Sequence, residues 1–172
     1  MIPYNAHSVI HNYGIAGMDS YLLGAAEDRQ RLLHMTRNQV DFVTPHSHKS
    51  DLTCEVLRGS VKNILFNQAD EFSNKSDMFA VANLMYNGVV GQYDKINFYI
   101  AAPYEMKAEL YTEGDTYFMS YDQIHSIFFT KNAIVRITEG PTVTTASQIL
   151  QPVSDGTIVK NFHVHEGLFL NN

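Results

Sequence analysis

The sequence PHSHKSDLTCEVLRGSV, residues 45–61, decides the fold. Its histidines His46 and His48 are two residues apart, and in a β-strand such a pair points to the same face. Imidazole is the commonest metal ligand among side chains. The following residues, 52–66, have the pattern of two strands joined by a tight turn at Arg58-Gly59-Ser60. The stretch therefore predicts β-structure that carries part of a metal site.

Further short strands are predicted along the rest of the chain. They are closely and evenly spaced, which is typical of an all-β barrel or sandwich. Residues 25–33 fit either a short helix or the start of a strand, and residues 78–86 are equally ambiguous. Gly140-Pro141 is expected to end the β core. The strands predicted in the second half are 96–101, 104–111, 115–120, 125–130 and 133–138.

Composition limits the function classes. The 172 residues are the length of one domain, and 45% of them are hydrophobic, enough for a substantial core. Net charge is −6 without a cluster of Lys or Arg, which argues against a nucleic-acid partner. The sequence has no apolar stretch long enough to cross a membrane and no secretory signal. Cys54 is the single cysteine and cannot form an internal disulfide, so we expect a cytoplasmic protein.

These residues resemble the two motifs of the cupin superfamily, the double-stranded β-helix. In the first motif, His46, His48 and Gly59 hold the expected places, but Leu52 stands where the family has glutamate. The second motif begins at Gly114 and ends at His125, and 120–122 replace its usual Pro-x-Gly turn. The resemblance spans about 32–140. It implies an all-β jelly-roll barrel, with short N-terminal and C-terminal extensions, in a single domain of residues 1–172.

The missing glutamate changes the predicted ligand set. Glu55 has the opposite parity to the histidines, so a regular strand turns it away from them. His46, His48 and His125 remain as a set of neutral imidazoles, which leaves a bound dication its full Lewis acidity and open positions. This set resembles that of the thiol dioxygenases, the cysteine dioxygenase-like cupins, which use Fe(II) and O2. The resemblance implies a non-haem Fe(II) dioxygenase acting on a small polar, thiol-type substrate.

Two further residues are candidates for catalysis. Tyr117 lies in the second motif and could face the pocket as an acid or hydrogen-bond donor, although packing is the simpler interpretation. Arg37 could bind a substrate carboxylate through a bidentate pair. The Ser-His-Tyr set that cysteine-type enzymes carry after the third ligand is absent, which argues against cysteine itself. Its positions hold Val135, Ile137 and Glu139.

Other functions stay open on the sequence alone. The chain could be a non-catalytic cupin that binds a small ligand or a protein partner. It could also be a Zn, Mn or Ni isomerase or lyase, because three imidazoles do not select iron. A homodimer formed through a sheet edge is a further expectation. The second HxH pair, His163 and His165, is interpreted as a terminal strand rather than as a second metal site.

Overall fold

The computed structural model describes residues 6–23, 30–70, 74, 76–86, 93–154 and 157–158. Secondary structure in these ranges is entirely β, and they contain no helix that could span a bilayer. His163 and His165 lie outside the described residues. The strands are β1 Ala6–Ile10, β2 Met18–Leu23, β3 Gln30–Met35, β4 Ser50–Arg58, β5 Ser60–Gln68, β6 Ser76–Tyr86, β7 Tyr93–Thr112, β8 Thr116–Met119, β9 Ile124–Phe129, β10 Ile134–Thr142, β11 Ala146–Ser154 and β12 Thr157–Ile158.

The strands form two antiparallel sheets of six strands each. The first has the order β1-β2-β3-β10-β4-β8 and the second the order β12-β11-β6-β7-β5-β9. The chain changes sheet between β4 and β5, and again at each connection from β7 to β10, which is the crossing pattern of a jelly roll. The predicted all-β jelly-roll barrel is confirmed. Its N-terminal extension adds β1 and β2 to the first sheet, and its C-terminal extension adds β11 and β12 to the second.

The turn at Gly59 is a corner between the sheets and not a hairpin. β4 pairs with β10 and β8, whereas β5 pairs with β7 and β9. Gly59 has φ +74°, a left-handed conformation that costs glycine little. A Cβ at this position would lie 3.0 Å from the Cα of Ala133 and 3.0 Å from Oγ1 of Thr130. Both strain and space therefore require glycine where the two sheets meet.

Gly59→Ala should lower the free energy of unfolding by about 2–3 kcal/mol, the sum of left-handed strain and the clash with Ala133. Gly114→Ala is the matched control, because Gly114 also has a positive φ, +93°, but its added Cβ would meet nothing within 4 Å. Urea denaturation of both variants would separate the two terms. Equal losses would show that the contact with Ala133 contributes nothing.

Four strands resolve an ambiguity of the sequence prediction or differ from it. The ambiguous segment 78–86 is part of β6, and β3 begins at Gln30, so both ambiguities resolve as strand where the chain is described. β7 runs through Pro103, whose missing N–H costs no ladder hydrogen bond because β5 ends beside it. The Pro103 carbonyl still accepts from the N–H of Ala69. The prediction that Gly140-Pro141 ends the β core is wrong, since β10 continues to Thr142 across an irregularity between Glu139 and Thr142.

The main core lies between the two sheets. Leu52, Cys54 and Val56 of β4 point into it, and Phe129 of β9 and Val61 of β5 meet them from the second sheet. A second cluster, around Ile64, Phe79 and Leu150, fills the opposite face of the second sheet. The prediction that Glu55 points away is confirmed, because its carboxylate accepts from Arg136 on the outer surface.

Candidate metal centre

Residues 45–48 connect the two ends of the second sheet. His46 exchanges both backbone hydrogen bonds with His125 of β9, at 2.9 and 3.0 Å. On the other side, the Pro45 carbonyl accepts from Leu150 of β11, and the Ser47 N–H donates to the Gln148 carbonyl. This bridge, residues 45–48, therefore closes β11-β6-β7-β5-β9 into a ring. The first histidine pair is held by backbone bonds on both sides.

The three predicted ligands lie together at this bridge. One nitrogen from each of His46, His48 and His125 falls within 4.8 Å of the other two. The Nε2 atoms of His48 and His125 are 2.9 Å apart. His125 is buried, whereas His46 and His48 are half-buried. The cluster contains no carboxylate and no thiol, so it is a purely imidazole donor set.

Hydrogen bonds fix the ring orientation of two of these histidines. Nδ1 of His46 donates to the carbonyl of Thr44 at 2.8 Å. Nδ1 of His125 donates to Oδ1 of Asn63 at 2.7 Å. Each bond places the ring proton on Nδ1 and leaves Nε2 with a free lone pair. Such outer hydrogen bonds are the usual support of a metal-binding histidine.

Burial keeps the imidazoles neutral. It lowers the pKa of His48 to about 3, with a smaller contribution from neighbouring His46. Burial also lowers the pKa of His125, and the neighbouring His46 and His48 lower it further. The pKa of His46 is lowered by burial and partly restored by the Thr44 carbonyl. Neutral rings with free lone pairs are the form that coordinates a metal.

The free energy of unfolding of the metal-free protein should fall as pH is lowered from 6.5 toward 3. The unfolded chain takes up protons at its histidines near pH 6.5, whereas folded His48 has a pKa of about 3, so acid favours unfolding in this window. Above pH 6.5 both states are neutral and the effect vanishes. For His48 we expect a loss on the order of 2 kcal/mol between pH 7 and pH 4.5.

Urea denaturation with a chelator present, at several pH values, measures this slope. The variant His48→Gln should show a shallower slope, because it lacks the imidazole that takes up a proton on unfolding. The carboxylates that also titrate in acid are the same in both proteins. A slope as steep as that of the natural chain would contradict the assignment to His48.

The donor set fits a divalent metal ion. Two nitrogens bound at right angles, each about 2.1 Å from the ion, lie about 3.0 Å apart, close to the 2.9 Å between His48 Nε2 and His125 Nε2. The widest separation, 4.8 Å, is longer. Binding through all three nitrogens therefore requires one ring to turn inward by about 1–2 Å.

An open cleft of about 340 Å³ adjoins the cluster, and His48 forms part of its wall. The cleft is mixed in character, with Met85 and Tyr121 beside Asn83 and Ser147. Among the described residues that line it, Asp122 is the only one besides His48 that is acidic or basic. The arrangement gives a small molecule access to His48 from one side.

The structure places Tyr117 away from this cleft. Its ring lies in the main core, stacked on Tyr111 at 4.2 Å between centroids. Its hydroxyl is buried beside the Cys54 thiol. Burial raises the pKa of Tyr117 well above its usual value. The inward direction of the side chain follows from strand parity, but Tyr121 and not Tyr117 lines the cleft.

Arg37 does not join the cluster either. Its side-chain stem lies against Gly17, in the loop before β2, and the residue is exposed. Gln39, two residues later, bonds the backbone of Ile127 and Phe129, toward the end of β9 that is remote from His125. From His125 to Phe129 the strand covers about 13 Å. The prediction that Arg37 anchors a substrate therefore has no geometric support.

Sequence reasoning missed two parts of the centre. Asn63 lies on β5, and no spacing relates it to His125 on β9. Gln148 lies in β11, within the predicted C-terminal extension, and its N–H donates to Oγ of Ser47 at 2.9 Å. One signal was present for Asn63, because a lone amide between the apolar residues Val61 and Ile64 is costly to bury without a role.

Comparisons with known proteins identify distant structural matches. No protein-family model matches the chain, and no curated protein matches it. Drosophila melanogaster CENP-C bound to CAL1 aligns with TM-score 0.46 and 12% identity, over 77% of this chain and 81% of that one. The Drosophila melanogaster CENP-C cupin domain gives TM-score 0.44 and 10% identity over 77% and 76%.

A dioxygenase is also among the solved structures that are similar to this chain. The hydroquinone 1,2-dioxygenase PnpCD in complex with Cd2+ and 4-hydroxybenzonitrile aligns with TM-score 0.35 and 12% identity, over 73% of this chain and 60% of that one. Matches this distant carry no argument about function. The fold assignment rests on the strand order described above.

Proposed function

We propose that this protein is a metal-dependent cupin enzyme, a non-haem Fe(II) dioxygenase that acts on a small polar, thiol-type substrate. The observation that carries the proposal is the convergence of three neutral imidazoles, without a carboxylate, beside an open cleft. His46, His48 and His125 would hold the ion. A ferrous ion bound there supplies open positions at which substrate and O2 can meet.

The protein's own contribution is to hold the ligands and to shape the access route. Backbone bonds of the bridge, residues 45–48, fix His46 and His48 before any ion arrives, which reduces the ordering cost of binding. Burial of His125 keeps water away from one side of the centre. The remaining side faces the cleft, so substrate approaches past His48.

The cleft favours a substrate without a negative charge. Asp122 lines it, and its carboxylate accepts from the Ser120 hydroxyl at 2.6 Å. Among the described residues that line the cleft, neither lysine nor arginine is present to pair with a carboxylate or phosphate. An uncharged or amine-bearing thiol therefore suits the site better than cysteine, which carries a carboxylate. Arg37, the candidate to bind that carboxylate, lies against Gly17 and not at the cluster.

The test is O2 consumption by the purified protein loaded with Fe(II) under anaerobic conditions. We expect O2 uptake with a small thiol that lacks a carboxylate and weaker uptake with cysteine. When the reaction is run under 18O2, the product should contain two atoms of oxygen-18. His125→Ala is the inactive control. Absence of uptake with every thiol, in protein shown to contain iron, would refute the dioxygenase proposal.

A second candidate is a non-catalytic cupin that binds a small ligand or a protein partner. The observation that favours it is the burial of Tyr117, which leaves the predicted acid without access to the cleft. Such a protein would keep its partner after all three histidines are replaced by alanine. A Zn, Mn or Ni isomerase or lyase is the third alternative, and it would be active without O2.

Location and assembly belong to the same proposal. The buried thiol of Cys54 suits the reducing cytoplasm that we propose as the compartment. A homodimer through a sheet edge is proposed as the assembly. β8 is an edge strand next to the metal centre, whereas the bridge covers β9 at His125. Light scattering of the purified protein would decide the oligomeric state.

A further inference from the structure

We propose that Asn63 positions His125 for metal binding by holding the proton of this imidazole on Nδ1. The inference rests on the metal site proposed above. Asn63 lies on β5 and is 1% exposed, and His125 lies on the neighbouring strand β9. Leu65 is the direct partner of His125 in the ladder, so Asn63 is its diagonal neighbour on the same face. Oδ1 of Asn63 is 2.7 Å from Nδ1 of His125.

A second contact determines which end of the amide faces the histidine. Nδ2 of Asn63 donates to Sδ of Met119 at 3.4 Å. A thioether can accept a weak hydrogen bond but cannot donate one. The amide nitrogen therefore belongs on the side of Met119, and the amide oxygen belongs on the side of His125. With this orientation Asn63 acts as an acceptor, and the ring nitrogen that it contacts must carry hydrogen.

The consequence reaches the metal-facing nitrogen. A neutral imidazole with hydrogen on Nδ1 has a free lone pair on Nε2. Nε2 of His125 faces Nε2 of His48 at 2.9 Å, so in the metal-free state His48 is the donor of that contact. Without Asn63, the proton of His125 could move to Nε2 and occupy the position that an ion needs. Asn63 prevents this by accepting from the opposite nitrogen.

An apolar residue at position 63 would also leave a buried N–H without a partner. Asn63 is 1% exposed, and Val61, its neighbour on the same face of β5, is fully buried, so water does not replace the amide. Asn67, on the same strand, is exposed and provides the matched control for any change at position 63. The two asparagines differ in burial and in contact with His125, not in residue type or strand.

The first experiment is nitrogen-15 NMR of histidine-labelled, metal-free protein at neutral pH, which reports the tautomer of each ring directly. We expect His125 to carry its proton on Nδ1. In Asn63→Leu the population with hydrogen on Nε2 should rise, and the dissociation constant for Co(II) or Zn(II) should increase about 10–100-fold. Asn63→Asp keeps an acceptor oxygen and should restore both properties, whereas Asn67→Leu should change neither.

The outcomes separate this inference from the proposed function. His125 protonated on Nε2 in the natural chain would overturn the role of Asn63. Unchanged metal affinity in a folded Asn63→Leu protein would also overturn it. Should Asn63→Leu not fold, the tautomer in the natural chain and the behaviour of Asn63→Asp still decide. Failure of the natural chain to bind Fe(II), Co(II) or Zn(II) would refute the metal site instead.

Discussion

Replacing His46 and His48 together with alanine should abolish tight metal binding. A structural zinc site with four ligands is worth about 10–16 kcal/mol, or roughly 3 kcal/mol for each ligand, so losing two ligands should weaken binding roughly 10⁴–10⁵-fold. The backbone bonds of the bridge do not need the imidazoles, so the variant should still fold. Elemental analysis of protein purified without added metal, followed by titration with Co(II), measures the change.

A double variant at two other histidines is the control. His11 is exposed and pairs with Asp19, and His34 lies half-buried on β3, outside the cluster. His11→Ala/His34→Ala should therefore keep the metal content of the natural chain. Metal retained by the His46→Ala/His48→Ala protein would show that the ion lies elsewhere. The identity of the metal would then choose between dioxygenase chemistry for iron and isomerase or lyase chemistry for zinc, manganese or nickel.

Phe129→Ala should strongly destabilise the main core. Phe129 is 1% exposed and lies where β9 meets Leu52, Cys54 and Val56 of the opposite sheet. Truncating a buried phenylalanine leaves a cavity and costs about 3–5 kcal/mol. Because single domains are stable by only about 5–15 kcal/mol, the variant would lose a large share of its stability. Thermal and urea denaturation measure the loss.

The matched control for Phe129 is another phenylalanine on the neighbouring edge strand. Phe118 of β8 is 65% exposed and points outward, because its strand alternates between exposed and buried side chains. Phe118→Ala should change stability by no more than about 0.5 kcal/mol. Similar losses in the two variants would contradict the inward and outward assignment of β8 and β9.

Strand parity explains what the sequence could predict. β4 alternates between buried and more exposed side chains up to Val56, so the two-residue period correctly predicted that Glu55 points outward. The spacing from His48 to Gly59 likewise predicted the end of β4, because a tight corner requires a residue that tolerates a positive φ. Local rules of this kind depend only on neighbours in the chain. They therefore hold before any tertiary contact is known.

Tertiary neighbours could not be predicted in this way. Arg37 is nine residues before His46, and extended chain of that length covers about 30 Å, so nearness in sequence did not mean nearness in space. Asn63 and His125 are 62 positions apart and meet only because β5 and β9 pair. Tyr117 stacks on Tyr111 in the main core, a contact that the second motif alone does not predict.

The bridge, residues 45–48, makes ring closure and ligand geometry one thermodynamic system. It is hydrogen-bonded to β9 through His46 and to β11 through Pro45 and Ser47. The ligand side chains of His46 and His48 therefore belong to the segment that joins both strands. An ion that binds better to the closed ring stabilises the attachment of β11 to the bridge. The attachment of β11 strengthens binding of the ion by the same free energy. Substitutions in β11 can thus tune metal affinity without touching the metal, and selection on either property acts on both.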